Sequence, residues 1–405
     1  MSIYDKTTDK MLTADLQDLL AKSAVENLRL EFKSQDVKKD EALKKITSFA
    51  NTFGGYMVIG AEADKNGRLV GLPGVDRING FKQRMIDWAS RGAFPPVLLF
   101  VSDPIPSPQD ATKFCYVVFV PESEEAPHFI NGRKGAYVRT DEFSQRFDSQ
   151  LATYEEIEHL AKRRALTVAH RDLLIDRARA RLATFLESMA KPPARRPLLT
   201  LSVCPLFPSR PLTSHAKLLD KLNRCRVPWS STLTLPGGHR ISQHESAIFL
   251  EASQEKPSLV EGNTWGLLFY AHSVHGEDSG TQAIHLCKTL GCILATLEHA
   301  KKMYEQLGFE GTILVRTRLE PVRGLPLMLS NAYAWPKSPL DDSVEFDIIS
   351  PSDRLKAERD TLAIDIIRLL MFALNCAEMA VNEKTLQTLL ADGYEYNHWQ
   401  RQQTT

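Results

Sequence analysis

The sequence predicts an α+β protein: an N-terminal domain of short strands and helices over residues 1–150, a helical connector over 151–192, and a C-terminal α/β domain of unknown fold over 198–405. Three observations carry this expectation. Apolar spacing switches repeatedly between a period of two and a period of three to four in the first 147 residues, which mixes strands with helices. Residues 153–189 then form a long helix-forming run that stops at Pro192-Pro193 and Pro197, where ring closure removes amide donors. After Leu198 the mixed pattern returns.

The elements follow in order. Leucines at 12, 16, 19 and 20 with Asp15 and Asp18 between them make an amphipathic helix. Leu28, Leu30 and Phe32 alternate with Arg29, Glu31 and Lys33, which predicts a half-buried strand with one charged face. Residues 40–53 return to helical spacing on Leu43, Ile46 and Ala50, and end at Gly54-Gly55. Strands are expected at 56–61 and 68–72 around an Ala63-Asp64-Lys65-Asn66-Gly67 turn, a helix at 81–90, and strands at 97–102, 114–120, 129–131 and 137–139. The run from 153 to 189 reads as a long, interrupted helix. Beyond it, strands are expected at 198–203, 265–271, 312–319 and 344–349, and helices at 214–225, 281–307, 351–380 and 383–390.

Lys plus Arg and Asp plus Glu both number 50, so the formal net charge is zero and any basic surface must be local. The six cysteines form no C-x-x-C pair and read as reduced core thiols. No run approaches the ~18 apolar residues of a membrane helix. A soluble cytoplasmic protein with no membrane partner is therefore expected. His272 and His275 with Glu277 and Asp278 fit no zinc spacing, and Asn51-Thr52-Phe53-Gly54-Gly55 lacks the Gly-Lys-Ser/Thr of a phosphate loop.

The candidate chemistry lies early in the chain. Glu31 and Lys33 share a strand face, Glu26 precedes that strand, and Glu62 and Asp64 follow the next one. If the two strands pair, three carboxylates converge near Lys33. Such a cluster repels itself unless a divalent cation, Mg²⁺ or Mn²⁺, sits within it and activates water against a phosphodiester. Lys33 would then face the phosphate. Spacing alone favours the plainer alternative, a solvated face with Glu31–Lys33 and Glu26–Arg29 pairs. For binding, the candidates are Lys38 and Lys39, with Lys44 and Lys45 nearby, and Arg133, Lys134, Arg139 and Arg146 around Tyr137. Tyr137 either stacks a base or sits in the core; the two readings weigh equally.

Glu26-x-x-x-x-Glu31-Phe32-Lys33, then Phe49-Ala50-Asn51-Thr52-Phe53-Gly54-Gly55-Tyr56-Met57-Val58-Ile59-Gly60, closely resembles the Schlafen AlbA-like domain. Gly67-x-Leu69-Val70-Gly71-Leu72 and Gly135-Ala136-Tyr137-Val138-Arg139 extend the likeness in the right order, over roughly a third of the chain. The resemblance implies nucleic acid as partner and, in its nuclease-active members, an acidic metal site that maps onto Glu26 and Glu31. The place of that family's third carboxylate holds Ala63, so Glu62 or Asp64 would have to substitute. Two functions follow: a metal-dependent endoribonuclease cutting structured RNA such as tRNA in defence or stress, or a catalytically silent DNA- or RNA-binding regulator. RNA is favoured over DNA, and a homodimer forming a charged groove fits the same reading.

Overall fold

The computed structural model describes residues 8–132, 135–140, 148–189, 196–229, 233–235, 239–243, 245–251, 257–278, 281–330, 333–335 and 339–397. It confirms an α+β architecture. The chain divides into two compact units, residues 1–166 and 167–405.

The first unit runs α1 (Thr13–Ala21), β1 (Leu30–Lys33), α2 (Lys39–Asn51), β2 (Gly55–Ile59), β3 (Glu62–Ala63), β4 (Leu69–Gly71) and α3 (Phe81–Gly92). It continues through β5 (Ala93–Phe94), β6 (Phe100–Val101), β7 (Ile105–Pro106), β8 (Phe114–Val120), β9 (Phe129–Ile130), β10 (Tyr137–Arg139) and β11 (Ser149–Leu151). Its main sheet has the order β1-β2-β8-β6, with β7 also on β8. β1 and β2 are parallel, with Leu30 opposite Tyr56 and Glu31 opposite Met57; β2 and β8 are antiparallel.

Strand alternation sorts the side chains onto two faces. Met57, Ile59, Tyr116 and Val118 pack with Ile46 and Phe49 of α2 and with Phe81 and Met85 of α3. Leu30, Phe32, Tyr56, Val58, Cys115 and Val117 pack with Leu16 and Leu19 of α1 and Leu69 of β4. Both faces of the sheet are thus covered. Because Leu30 and Phe32 belong to the α1 face, Glu31 and Lys33 must turn toward α2.

Helix α4 (Tyr154–Ser188) is a single helix of 35 residues and is not interrupted, since neither glycine nor proline lies within it. The division between the two units falls inside this helix rather than at the prolines after 190. Leu160 packs with Ala126 and Val138 in the first unit. Leu174, Ile175, Ala178, Leu182 and Phe185 belong to a core of the second unit.

The second unit opens with β12 (Leu198–Pro205), α5 (His215–Arg224), β13 (Val227–Trp229), β14 (Leu233–Leu235), β15 (His239–Gln243), β16 (Ser246–Glu251), β17 (Ser258–Asn263) and β18 (Leu268–Ser273). Then come β19 (His275–Asp278), β20 (Thr281–His285), α6 (Leu286–Leu307), β21 (Thr312–Glu320), β22 (Leu327–Ser330), β23 (Tyr333–Trp335) and β24 (Val344–Pro351). It ends on α7 (Asp353–Ala357), α8 (Arg359–Ala373), α9 (Ala377–Ala380) and α10 (Glu383–Tyr396). A seven-stranded antiparallel sheet, β15-β16-β17-β18-β12-β21-β24, forms its centre. Leu201, Tyr270 and Val315 face the helices α6, α8 and α10, while Ile248, Leu259, Phe269 and Leu314 face α4.

Three expectations need correction here. The helix expected from Thr281 starts at Leu286, because residues 281–285 form β20 and the His285 ring accepts the amide of Lys288 at 3.3 Å as a cap. The helix expected over 351–380 is three helices, broken near Glu358 and at Asn375, which holds a φ of 62°. Strands β15, β16 and β17 were not anticipated: Glu261 and Gly262 inside β17 are residue types depleted in strands. All six cysteines are buried and unpaired, as expected of core thiols.

Candidate functional site

The Asn51-Thr52-Phe53-Gly54-Gly55 segment is an architectural joint. Asn51 is buried at the end of α2; its side-chain amide donates to the carbonyls of His128 at 3.0 Å and Tyr137 at 2.8 Å and accepts the His128 amide at 2.7 Å. One side chain thereby ties α2 to β10 and to the loop before β9. Gly54 holds a φ of +66°, and a Cβ on Gly55 would stand 2.3 Å from the Phe49 ring and 2.8 Å from the Arg29 carbonyl. This close approach seats the start of β2 against the end of α2 and beside Arg29, just ahead of the edge strand β1.

Glu31 lies at the centre of the result. It is only 5 % exposed. The Lys45 ammonium reaches its Oε1 at 2.8 Å, Lys33 reaches the same oxygen at 3.2 Å, and the Arg139 guanidinium donates to Oε2 at 3.0 Å. Arg139 also donates to the Asn27 carbonyl at 3.0 Å and lies over the Phe49 ring at 4.5 Å. Lys45 binds Asp148 at 2.7 Å and Lys33 binds Glu41 at 2.8 Å. Burial pushes the Glu31 carboxyl up, but Lys45, Arg139 and Lys33 outweigh it and hold the group below the usual carboxylate range.

Glu26 sits beside this network. Its Oε1 accepts the Phe32 amide at 2.9 Å, and its backbone amide donates to Gly67 at 2.8 Å. Burial raises its pKa, the Phe32 amide opposes the rise, and repulsion from Glu31 adds to it. Asp64 Oδ1 accepts the amides of Asn66 at 2.7 Å and Arg68 at 2.9 Å, closing the β3–β4 turn. Glu62 is exposed on β3.

The five residues singled out for chemistry are engaged in different ways. Glu26, Glu31 and Lys33 come together, but Glu31 is enclosed by three cations and Asp64 is committed to its turn. Among the described residues no group of three His, Cys, Asp or Glu side chains is disposed to hold a metal. As they stand, these side chains do not fit a three-carboxylate Mg²⁺ or Mn²⁺ site.

Two of the expected nucleic-acid contacts are placed in the interior. Tyr137 is 8 % exposed and packs with Leu43 and Ile130, because β10 lies against α2; this supports the core reading of that ring. Arg139 is buried because its guanidinium neutralises Glu31. Lys38 and Lys39, at the start of α2, are exposed. Arg133, Lys134 and Arg146 lie outside the described residues. The sequence reading missed that Lys45 and Asp148 belong to the Glu31 network. Lys45 carried a signal: it falls on the apolar stripe of α2 with Ala42, Ile46 and Phe49, where an ammonium needs a buried partner.

No helix among the described residues is long and apolar enough to cross a membrane. No curated protein matches the chain. The family model of the Schlafen AlbA_2 domain matches residues 26–148, a stretch that begins at Glu26 and ends at Asp148, the outer partner of Lys45. With β1, α2, β2 and β10 assembled around the motif residues as described, residues 26–148 are a Schlafen AlbA_2 domain, and that membership points to nucleic acid as the molecule this part of the chain binds.

Proposed function

We propose that the Schlafen AlbA_2 domain of this protein binds nucleic acid through exposed cations that include Lys38 and Lys39, and that it acts as a binding module rather than as a three-carboxylate metallonuclease. The observation that carries the second half is the enclosure of Glu31. A carboxylate that accepts from Lys45, Lys33 and Arg139 has little charge left for a cation. Lys38 and Lys39, by contrast, have no ion-pair partner among the described residues and are free to meet phosphates. Structured RNA is the favoured class, a preference that rests on the family resemblance.

One observation favours a metal-dependent endoribonuclease instead. Glu26 and Glu31 lie close enough to repel, and the Glu26 carboxyl is raised in part by that repulsion. A divalent cation held there would relieve it, with Glu26 and Glu31 as protein ligands.

The full chain, incubated with tRNA, single-stranded RNA and duplex DNA in Mn²⁺, Mg²⁺ or chelator, separates the two. Expected is binding that weakens steeply with salt, with no cleavage. Lys38→Ala and Lys39→Ala should each flatten the log–log salt slope by about 0.7 to 0.9. Binding indifferent to salt and to both substitutions overturns the proposal. Metal-dependent cleavage abolished in Glu26→Gln establishes the nuclease; a glutamine at that position still accepts the Phe32 amide.

A further inference from the structure

The second unit, which the family match does not reach, contains a cavity of about 540 Å³. It lies between α4, which contributes Leu174, Arg177 and Arg181, and the β16–β17 end of the large sheet, which contributes Glu245, Ser246 and Glu261. Its size falls within the range of small-molecule sites.

Glu261 makes this cavity more than a gap. It is fully buried. Its Oε1 accepts from Arg181 at 2.5 Å and from the Ser246 hydroxyl at 2.6 Å. Its Oε2 is equally buried and has no donor among the described residues. A buried carboxylate oxygen without a donor is costly, so a group supplied from outside that carries N–H bonds would be held strongly there. At the same cavity Arg177 is exposed and has no ion-pair partner among the described residues. Glu245 is half engaged, its Oε2 accepting the Trp265 indole N–H at 2.8 Å.

Among the described residues the charges of the lining balance: Arg177 and Arg181 against Glu245 and Glu261. The occupant that matches is neutral overall but charged at both ends. Among the described residues no aromatic ring lines the cavity to stack a nucleobase, and their lining charges leave no excess positive charge for a phosphate. We propose that this cavity binds a small zwitterion of the free amino-acid class. Its ammonium sits on the Glu245 and Glu261 side, reaching Oε2 once the Glu261 side chain turns into the cavity; its carboxylate sits on Arg177 and its side chain against Leu174.

The test is calorimetry and thermal denaturation of the full chain with free glycine, leucine, glutamate and arginine. Leucine amide, N-acetyl-leucine and adenosine monophosphate serve as controls. Expected is a dose-dependent rise in Tm with at least one free amino acid. Arg177→Ala should weaken that binding at least tenfold, about one decade in Kd, while leaving the Tm of the unliganded protein unchanged, because Arg177 is exposed. If leucine binds, blocking either charged end should abolish binding. Glu261 is left intact in this test because Arg181 depends on it. The proposal is overturned if no amino acid binds at about 10 mM, where a millimolar site would be filled. It is equally overturned if adenosine monophosphate binds instead, or if Arg177→Ala binds as tightly as the parent.

Discussion

Glu31 shows how a residue type expected at a catalytic centre can serve the fold. Removing its charge leaves Lys45 and Arg139 buried without their shared partner, and such a loss costs on the order of 3–5 kcal/mol. Glu31→Gln should therefore unfold at markedly lower urea at neutral pH. The pH dependence has a definite sign. Glu31 titrates lower in the folded than in the unfolded protein, so its contribution is complete above the unfolded value of about 4.3 and is lost as pH falls through the folded value. Asp148, also lowered, acts in the same direction. Glu26, raised, acts oppositely: its contribution is present below the unfolded value and is lost as pH rises through the folded one. The parent protein should lose stability steeply below about pH 4, and Glu31→Gln should show a shallower acid limb. A variant as stable as the parent at neutral pH would contradict the three-cation description. A practical point follows for nuclease assays: loss of activity in Glu31→Gln would not distinguish a catalytic group from a structural one, whereas Glu26→Gln would.

Among the elements, α4 carries the clearest lesson. Ile175 is fully buried between Leu174 and Ala178 on the face that meets Phe269 and Leu314 of the large sheet. Ile175→Ala should lower the stability of the second unit by about 2–5 kcal/mol in urea denaturation. The nucleic-acid binding proposed for the first unit should be unchanged; coupled loss of both would contradict the division of the chain at residue 166. The helices and strands of the first unit were legible in the sequence wherever an apolar period ran for a full element, as in Leu16–Leu19, Ile46–Phe49 and Phe114–Val120. Legibility failed where tertiary context decides. The turn of Glu31 toward α2 followed from alternation, but its burial depended on Arg139, 108 residues away. Tyr137 was undecidable for the same reason: a tyrosine with basic neighbours looks alike at a surface and in a core until the strand carrying it is placed against α2. Glu261 escaped notice altogether, because a lone glutamate beside glycine carries no sign that its strand is central.

At the scale of the whole molecule, net neutrality hides a local arrangement: cations gathered around one carboxylate in the first unit, and balanced charges around a cavity in the second. Composition could not reveal either. The prolines after residue 190 follow, in sequence, the apolar stripe from Leu174 to Phe185, which belongs to the core of the second unit. A gene fragment cut at those prolines would export that stripe without the sheet that covers it. Such a fragment should behave as a sticky amphipathic tail, self-associating in a concentration-dependent way by sedimentation and passing for a native dimer. A shorter fragment ending at Leu166 should sediment as a single particle, so a homodimer inferred from the longer piece alone would be an artefact of where the scissors fell.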